Sequence, residues 1–130
     1  MIKNAQILIT GVAGSIGSEL MRQLSQPDLR NIVWGIDINE TEFFNLIEEL
    51  KNDGRDVFGR VGDIRDMTAL LDCVEEVTPN FIFHSAARKH VTPMEWDPDE
   101  AVSTNILGTL NVIKVAKKTK AKLISISTDK

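Results

Sequence analysis

Three glycines separated by two residues each, Gly11, Gly14 and Gly17 in TGVAGSIGSEL, leave a stretch of bare backbone that an anion can approach. The apolar run AQILIT (5–10) precedes them. A segment with Ile16, Leu20 and Leu24 on one helical face follows. In such a strand-loop-helix, Gly11 allows the tight turn, Gly14 lets the backbone meet a pyrophosphate, and Gly17 lets the helix pack closely on the strand. The helix start, Ser15 and Ile16 included, points N–H groups at the phosphates. The alternative is a plain surface turn; the flanking strand and helix favour the dinucleotide reading.

Asp37 stands 20 positions after Gly17, at the end of a second apolar run. A carboxylate there bonds the ribose hydroxyls of a dinucleotide and repels a 2′-phosphate. Neither Ile38 nor Asn39 is an arginine that would welcome that phosphate, so NAD is expected over NADP. The competing reading makes Asp37 a cap for the next turn. In GDIRD, Asp63 is placed to reach an adenine amine and Ile64 to pack on the ring, while Asp63 or Asp66 could equally cap a helix. Small residues in HSAARKH, namely Ser85, Ala86 and Ala87, leave room for a cofactor to cross a sheet edge. His84 lies inside an apolar strand and reads as a satisfied core residue; His90 lies in a loop and is undecided. No Cys/His spacing suggests a metal site.

The elements that position these residues alternate regularly. Strands are expected at 5–10, 31–37, 56–61, 80–86 and 122–127. Helices are expected at 15–25, at 40–52 with Thr41 as a cap and Gly54 as a stop, at 66–77, and at 99–119. Apolar strands joined by helical crossovers predict an α/β fold with a doubly wound parallel sheet, Rossmann-type, five strands in the order 3-2-1-4-5. The chain is read as one NAD(P)-binding domain over 1–130.

Composition narrows the function. With 15 basic against 19 acidic residues the net charge is -4, which disfavours a nucleic-acid partner. The lysines at 114, 117, 118, 120 and 122 read as a solvated helix end. Cys73 is the single cysteine, so no internal disulfide can form; its neighbours Leu70, Leu71, Val74 and Val77 place it in a core. No run approaches the roughly 18 apolar residues needed to span a bilayer. A cytoplasmic location with no signal peptide is the expectation.

The segments TGVAGSIGSEL, GDIRD, SAARKHVTPMEWDPDEAVSTNILGTLNV and SISTDK together resemble the extended short-chain dehydrogenases/reductases. More narrowly, the chain resembles bacterial nucleotide-sugar 4,6-dehydratases acting on UDP-N-acetylglucosamine in polysaccharide and glycan biosynthesis. That resemblance implies a lyase in which bound NAD(P) takes a hydride from C4 of the sugar, water leaves across C5 and C6, and the hydride returns at C6. It implies Asp129 as the acid for the departing hydroxyl, Lys130 as the base at C5, and Thr128 near the 4-hydroxyl. It further implies Lys89 on the substrate, and Thr104 and Asn105 on the cofactor side.

Members of that family continue for roughly as many residues again, with a Tyr-x-x-x-Lys or Met-x-x-x-Lys pair, and this chain has no tyrosine. The reading is therefore an N-terminal piece of a longer enzyme, stopping before the substrate lobe. It is expected to bind NAD weakly, to be inactive alone, and to self-associate as a homo-oligomer through an open sheet edge. A related epimerase or reductase, and a non-catalytic NAD-binding module, are the alternatives.

Overall fold

A computed structural model of the chain describes residues 1–86, 99 and 103–126. Its five strands are β1 (Gln6–Thr10), β2 (Ile32–Asp37), β3 (Val57–Val61), β4 (Phe81–His84) and β5 (Lys122–Ser125). All pair in parallel, in the order β3-β2-β1-β4-β5. This is the order expected from the crossover rule. Helices α1 (Ser15–Leu24), α2 (Glu40–Asn52), α3 (Met67–Val77) and α4 (Thr109–Thr119) provide the crossovers, with a short 3₁₀ turn at Pro27–Leu29.

Period-two alternation along the strands splits the core in two. Ile7, Ile9, Val33 and Val57 point to one face, where Met21 of α1 and Phe43, Leu46 and Leu50 of α2 cover them. Leu8, Ile36 and Ile82 point to the other, under Leu70, Cys73, Val74 and Val77 of α3 and Val112, Val115 and Ala116 of α4. Full burial of each such aliphatic side chain is worth about 1.5–3 kcal/mol, so both layers are needed to hold the sheet. Cys73 is fully buried, as its pattern predicts, and burial pushes its thiol up to about 11. The sheet edges depart from the expectation of strands buried on both faces: Phe58 and Val61 of β3 are exposed, and β5 is only half-buried.

Two local expectations are corrected and one open choice is decided. Helix α2 is capped by Asn39, whose side chain accepts from Glu42 N–H at 3.2 Å, and not by Thr41, which lies inside the helix. At α3 the choice between two aspartates falls to Asp66, which accepts from the Thr68 and Ala69 N–H groups. The long helix expected over 99–119 is not regular. Ser103–Gly108 forms a wider π-helical stretch before α4 begins at Thr109. Insertions of this kind concentrate at functional sites. Here the seam carries Gly108, where an added Cβ would lie 2.6 Å from Ile64 Cδ1, so a side chain at 108 would have to displace the Ile64 side chain.

Candidate functional site

Because all five strands are parallel, their C-terminal ends share one edge of the sheet. The register places Thr10 beside Ile36 and His84, and Asp37 beside Val61. The loops that follow β1, β2, β3 and β4 therefore gather there. This edge carries the glycine loop after β1, Asp37 at the end of β2, Asp63 and Ile64 after β3, and Ser85 and Ala86 after β4.

The three glycines have different physical reasons. Gly11 has φ +70, and an added Cβ would sit 2.6 Å from the Ala86 backbone. Gly17 is buried at a contact no side chain fits, with an added Cβ 2.2 Å from the Gly11 carbonyl oxygen. Gly14 is exposed, has φ -73, and an added Cβ would meet only the Gly11 oxygen at 3.4 Å. Among the described residues nothing demands glycine at 14; what glycine supplies there is open space before the helix. Gly14 is also the N-cap of α1 and, having no side chain, gives the first-turn N–H groups of Ser15, Ile16 and Gly17 no cap of its own. An uncapped helix start behind a bare backbone can take an anion.

Asp37 fulfils its capping alternative and more. Its Oδ1 accepts from Asn39 N–H at 2.8 Å, closing the turn after β2. Its Oδ2 accepts from Ala13 N–H at 2.9 Å, so the carboxylate also ties the glycine loop to the end of β2. Gly11 and Val12 N–H groups donate to Ile36 O nearby, at 2.9 and 3.5 Å. A carboxylate has about four lone-pair sites, so two such bonds leave capacity for hydroxyl donors. Ile38, next along, is 63% exposed and extends an apolar surface from the same rim.

After β3, Asp63 is held by Arg65. Oδ1 accepts from the Arg65 N–H at 2.9 Å, and the guanidinium grips both oxygens, the shortest contact being Nη2 to Oδ2 at 2.6 Å. The side chain of Ile64 is 5% exposed and joins the core under α3 and α4, which leaves little of it to pack on a ligand. After β4, Ser85 is buried and its hydroxyl donates to Thr10 O at 2.8 Å; Ala86 closes on Gly11. Both act in this structure as spacers that bring β4 close to the glycine loop.

His84 is the satisfied core residue expected. Nδ1 lies 2.6 Å from Thr10 Oγ1 and Nε2 lies 2.9 Å from Thr109 Oγ1, and burial lowers its pKa. A neutral imidazole has one donor and one acceptor nitrogen, so the two threonines complete it in complementary roles. Asn105 lies half-buried in the π-helical stretch, which also carries the backbone of Thr104. Ala87, Lys89, His90, Thr128, Asp129 and Lys130 lie outside the described residues. Sequence reasoning missed Asn111, whose Nδ2 donates to both Ile64 O and Arg65 O at 3.0 and 3.1 Å. Its only trace in the sequence is a weak helix former on an otherwise apolar inward face.

A parallel sheet in this order, with a glycine loop after the central strand β1 and an acid at the end of its neighbour β2, defines a Rossmann-type nucleotide-binding architecture. The profile of the family described as polysaccharide biosynthesis protein matches residues 7–130, and the chain belongs to that family. It is 44% identical over 129 residues to a Methanocaldococcus jannaschii protein named only as an uncharacterized membrane protein, covering 98% of this chain and 37% of the relative. It is 34% identical over 137 residues to a UDP-glucose 4-epimerase of Rickettsia bellii, covering 100% of this chain and 38% of the epimerase. Among solved structures it is similar to the Bordetella bronchiseptica enzyme WbmG in complex with NAD and UDP. That match has a TM-score of 0.76 and 29% identity, over 93% of this chain and 36% of WbmG. The chain thus spans little more than a third of the length of these relatives. Among the described residues, no helix is long and apolar enough to cross a membrane.

Proposed function

We propose that this chain is the NAD-binding part of an enzyme that remodels a nucleotide sugar for polysaccharide or glycan biosynthesis. One observation carries the reading: Gly14 is glycine where packing among the described residues does not require it, and as N-cap it gives the helix start no side-chain cap. A pyrophosphate approaching the backbone supplies the missing reason. Gly11 to Gly17 would hold the phosphates, and the Asp37 carboxylate, fixed by Ala13 and Asn39, would hold the adenosine ribose. The same negative charge disfavours a 2′-phosphate. Asp63 would accept from the adenine amine, with Ile38 and the small residues Ser85, Ala86 and Ala87 along the cofactor's path.

NAD held there would supply a reversible hydride acceptor. Within this reading the reaction is 4,6-dehydration of UDP-N-acetylglucosamine. Asp129 protonates the departing 6-hydroxyl, Lys130 takes the C5 proton, Thr128 bonds near the 4-hydroxyl, Lys89 meets the substrate, and Thr104 and Asn105 support the cofactor side. The support is the family resemblance of ARKHVTPME and STDK. The likeness to a UDP-glucose 4-epimerase favours a second reading, in which the same hydride is removed and returned at C4 without loss of water. Assembly into a homo-oligomer belongs to the proposal; exposed Ile106, Leu107 and Leu110 support it. A strict monomer by light scattering at high concentration would count against it.

Isothermal titration of the chain with NAD and with NADP tests the binding claim. A heat of binding with NAD that is weaker with NADP is expected. No heat and no thermal shift at millimolar NAD overturns it.

A further inference from the structure

We infer that Asn111 is a positioning residue for adenine recognition, acting through the turn at Asp63–Arg65. The inference rests on the dinucleotide reading above. Helix α4 and the π-helical stretch before it touch this turn at two places. Gly108 leaves room for Ile64 in the core, where an added Cβ would lie 2.6 Å from Ile64 Cδ1. One turn of helix later, the Asn111 amide donates to the carbonyl oxygens of two successive residues, Ile64 and Arg65. Two donated bonds from one nitrogen also fix which end of the amide is which.

The consequence is directional. With both carbonyls bonded to the helix, rotating either peptide plane of the turn would break a hydrogen bond. Asp63 is then held from its own side by Arg65, through the backbone N–H and the guanidinium. The carboxylate is thus fixed at a sheet edge where β1 and β2 also end, Asp37 pairing with Val61 two residues before Asp63. A fixed acceptor can distinguish a base that donates from one that accepts. Adenine presents an exocyclic amine; hypoxanthine presents a carbonyl in its place and would face the carboxylate with like polarity.

The test is a titration of the whole chain and its variants with NAD and with nicotinamide hypoxanthine dinucleotide. The wild-type chain is expected to favour NAD by roughly tenfold, the worth of about one hydrogen bond to a charged group. Asn111→Ala is expected to bring that ratio to near one, chiefly by weakening NAD. Asn111→Ser, which keeps a shorter donor, is expected to retain part of the preference and serves if the alanine variant does not fold. A merely structural role would weaken both dinucleotides equally. If the preference survives intact in both variants, the positioning role is overturned while the dinucleotide reading stands. If the wild-type chain binds neither dinucleotide, both are overturned.

Discussion

Replacing Gly17 by alanine tests the packing on which the glycine loop depends. On the present backbone the new methyl would lie 2.2 Å from the Gly11 carbonyl oxygen and 2.8 Å from Val12 Cα. Both are main-chain atoms, so no side chain can swing aside. The oxygen is itself held, because Gly14 N–H donates to it at 3.2 Å while Gly11 N–H donates to Ile36 O at 2.9 Å. Going from 2.2 Å to the 3.4 Å of ordinary contact requires a shift of roughly 1.2 Å in helix or loop. Against the clash stands the helix preference of alanine over glycine, about 1 kcal/mol. Overpacking against rigid surroundings costs about 1–3 kcal/mol and sometimes more, and a contact this short belongs at or beyond the upper end. The net expectation is a loss of about 2 kcal/mol, or a fall in Tm of about 8 °C for a domain of this size. Urea unfolding followed by circular dichroism reads it. Gly14→Ala is the control. Its methyl meets only the 3.4 Å neighbour, so stability should change by less than about 1 kcal/mol, while NAD affinity falls at least about tenfold. The reasoning fails if Gly17→Ala is as stable as the wild-type chain, or if Gly14→Ala is the more damaged of the two.

Asp37→Asn leaves at most one good acceptor for the Ala13 and Asn39 N–H groups. A stability loss of about 1–2 kcal/mol and a narrowed preference for NAD over NADP are expected, from urea unfolding and titration respectively. His84 gives a pH dependence. Burial lowers its pKa in the folded chain, so the unfolded chain takes up the proton first as pH falls. Its contribution is therefore fully present above the unfolded value of about 6.5 and declines below it, down to the folded pKa. Urea midpoints at pH 8 and pH 5 should differ in the wild-type chain, and by less in His84→Gln; an identical difference would refute the assignment. Cys73, with no exposure and a thiol pushed up to about 11, should resist maleimide at pH 8 and react only in denaturant. Rapid labelling of the native chain would contradict its place in the core.

What the sequence made legible was whatever depends on near neighbours. The strand order follows from apolar runs separated by helices of crossover length, and α2 was readable to its ends because Glu40–Asn52 carries its own periodicity. Thr41 misled because capping depends on backbone geometry at the entry, and Asn39 had already taken that role. The π-helical stretch was not legible, and the contact at its end, Gly108 against Ile64, joins residues 44 positions apart in the chain. For the same reason Ile64 was offered to a ligand when its side chain belongs to the core, and Asn111 went unnoticed. Asp37 shows the intermediate case. Its position at a strand end was readable, but its bond to Ala13 arises only when β1 and β2 lie side by side.

The central claim is that the backbone from Gly11 to Gly17 meets a dinucleotide's phosphates while Asp37 meets its ribose. The most direct measurement is a set of amide ¹H–¹⁵N spectra of the labelled chain during titration with NAD. The account predicts that the largest shifts fall on Ala13 to Gly17 and on Asn39, whose N–H groups line the loop and the Asp37 carboxylate. Shifts confined to other parts of the chain, with these amides unmoved at saturation, would contradict it.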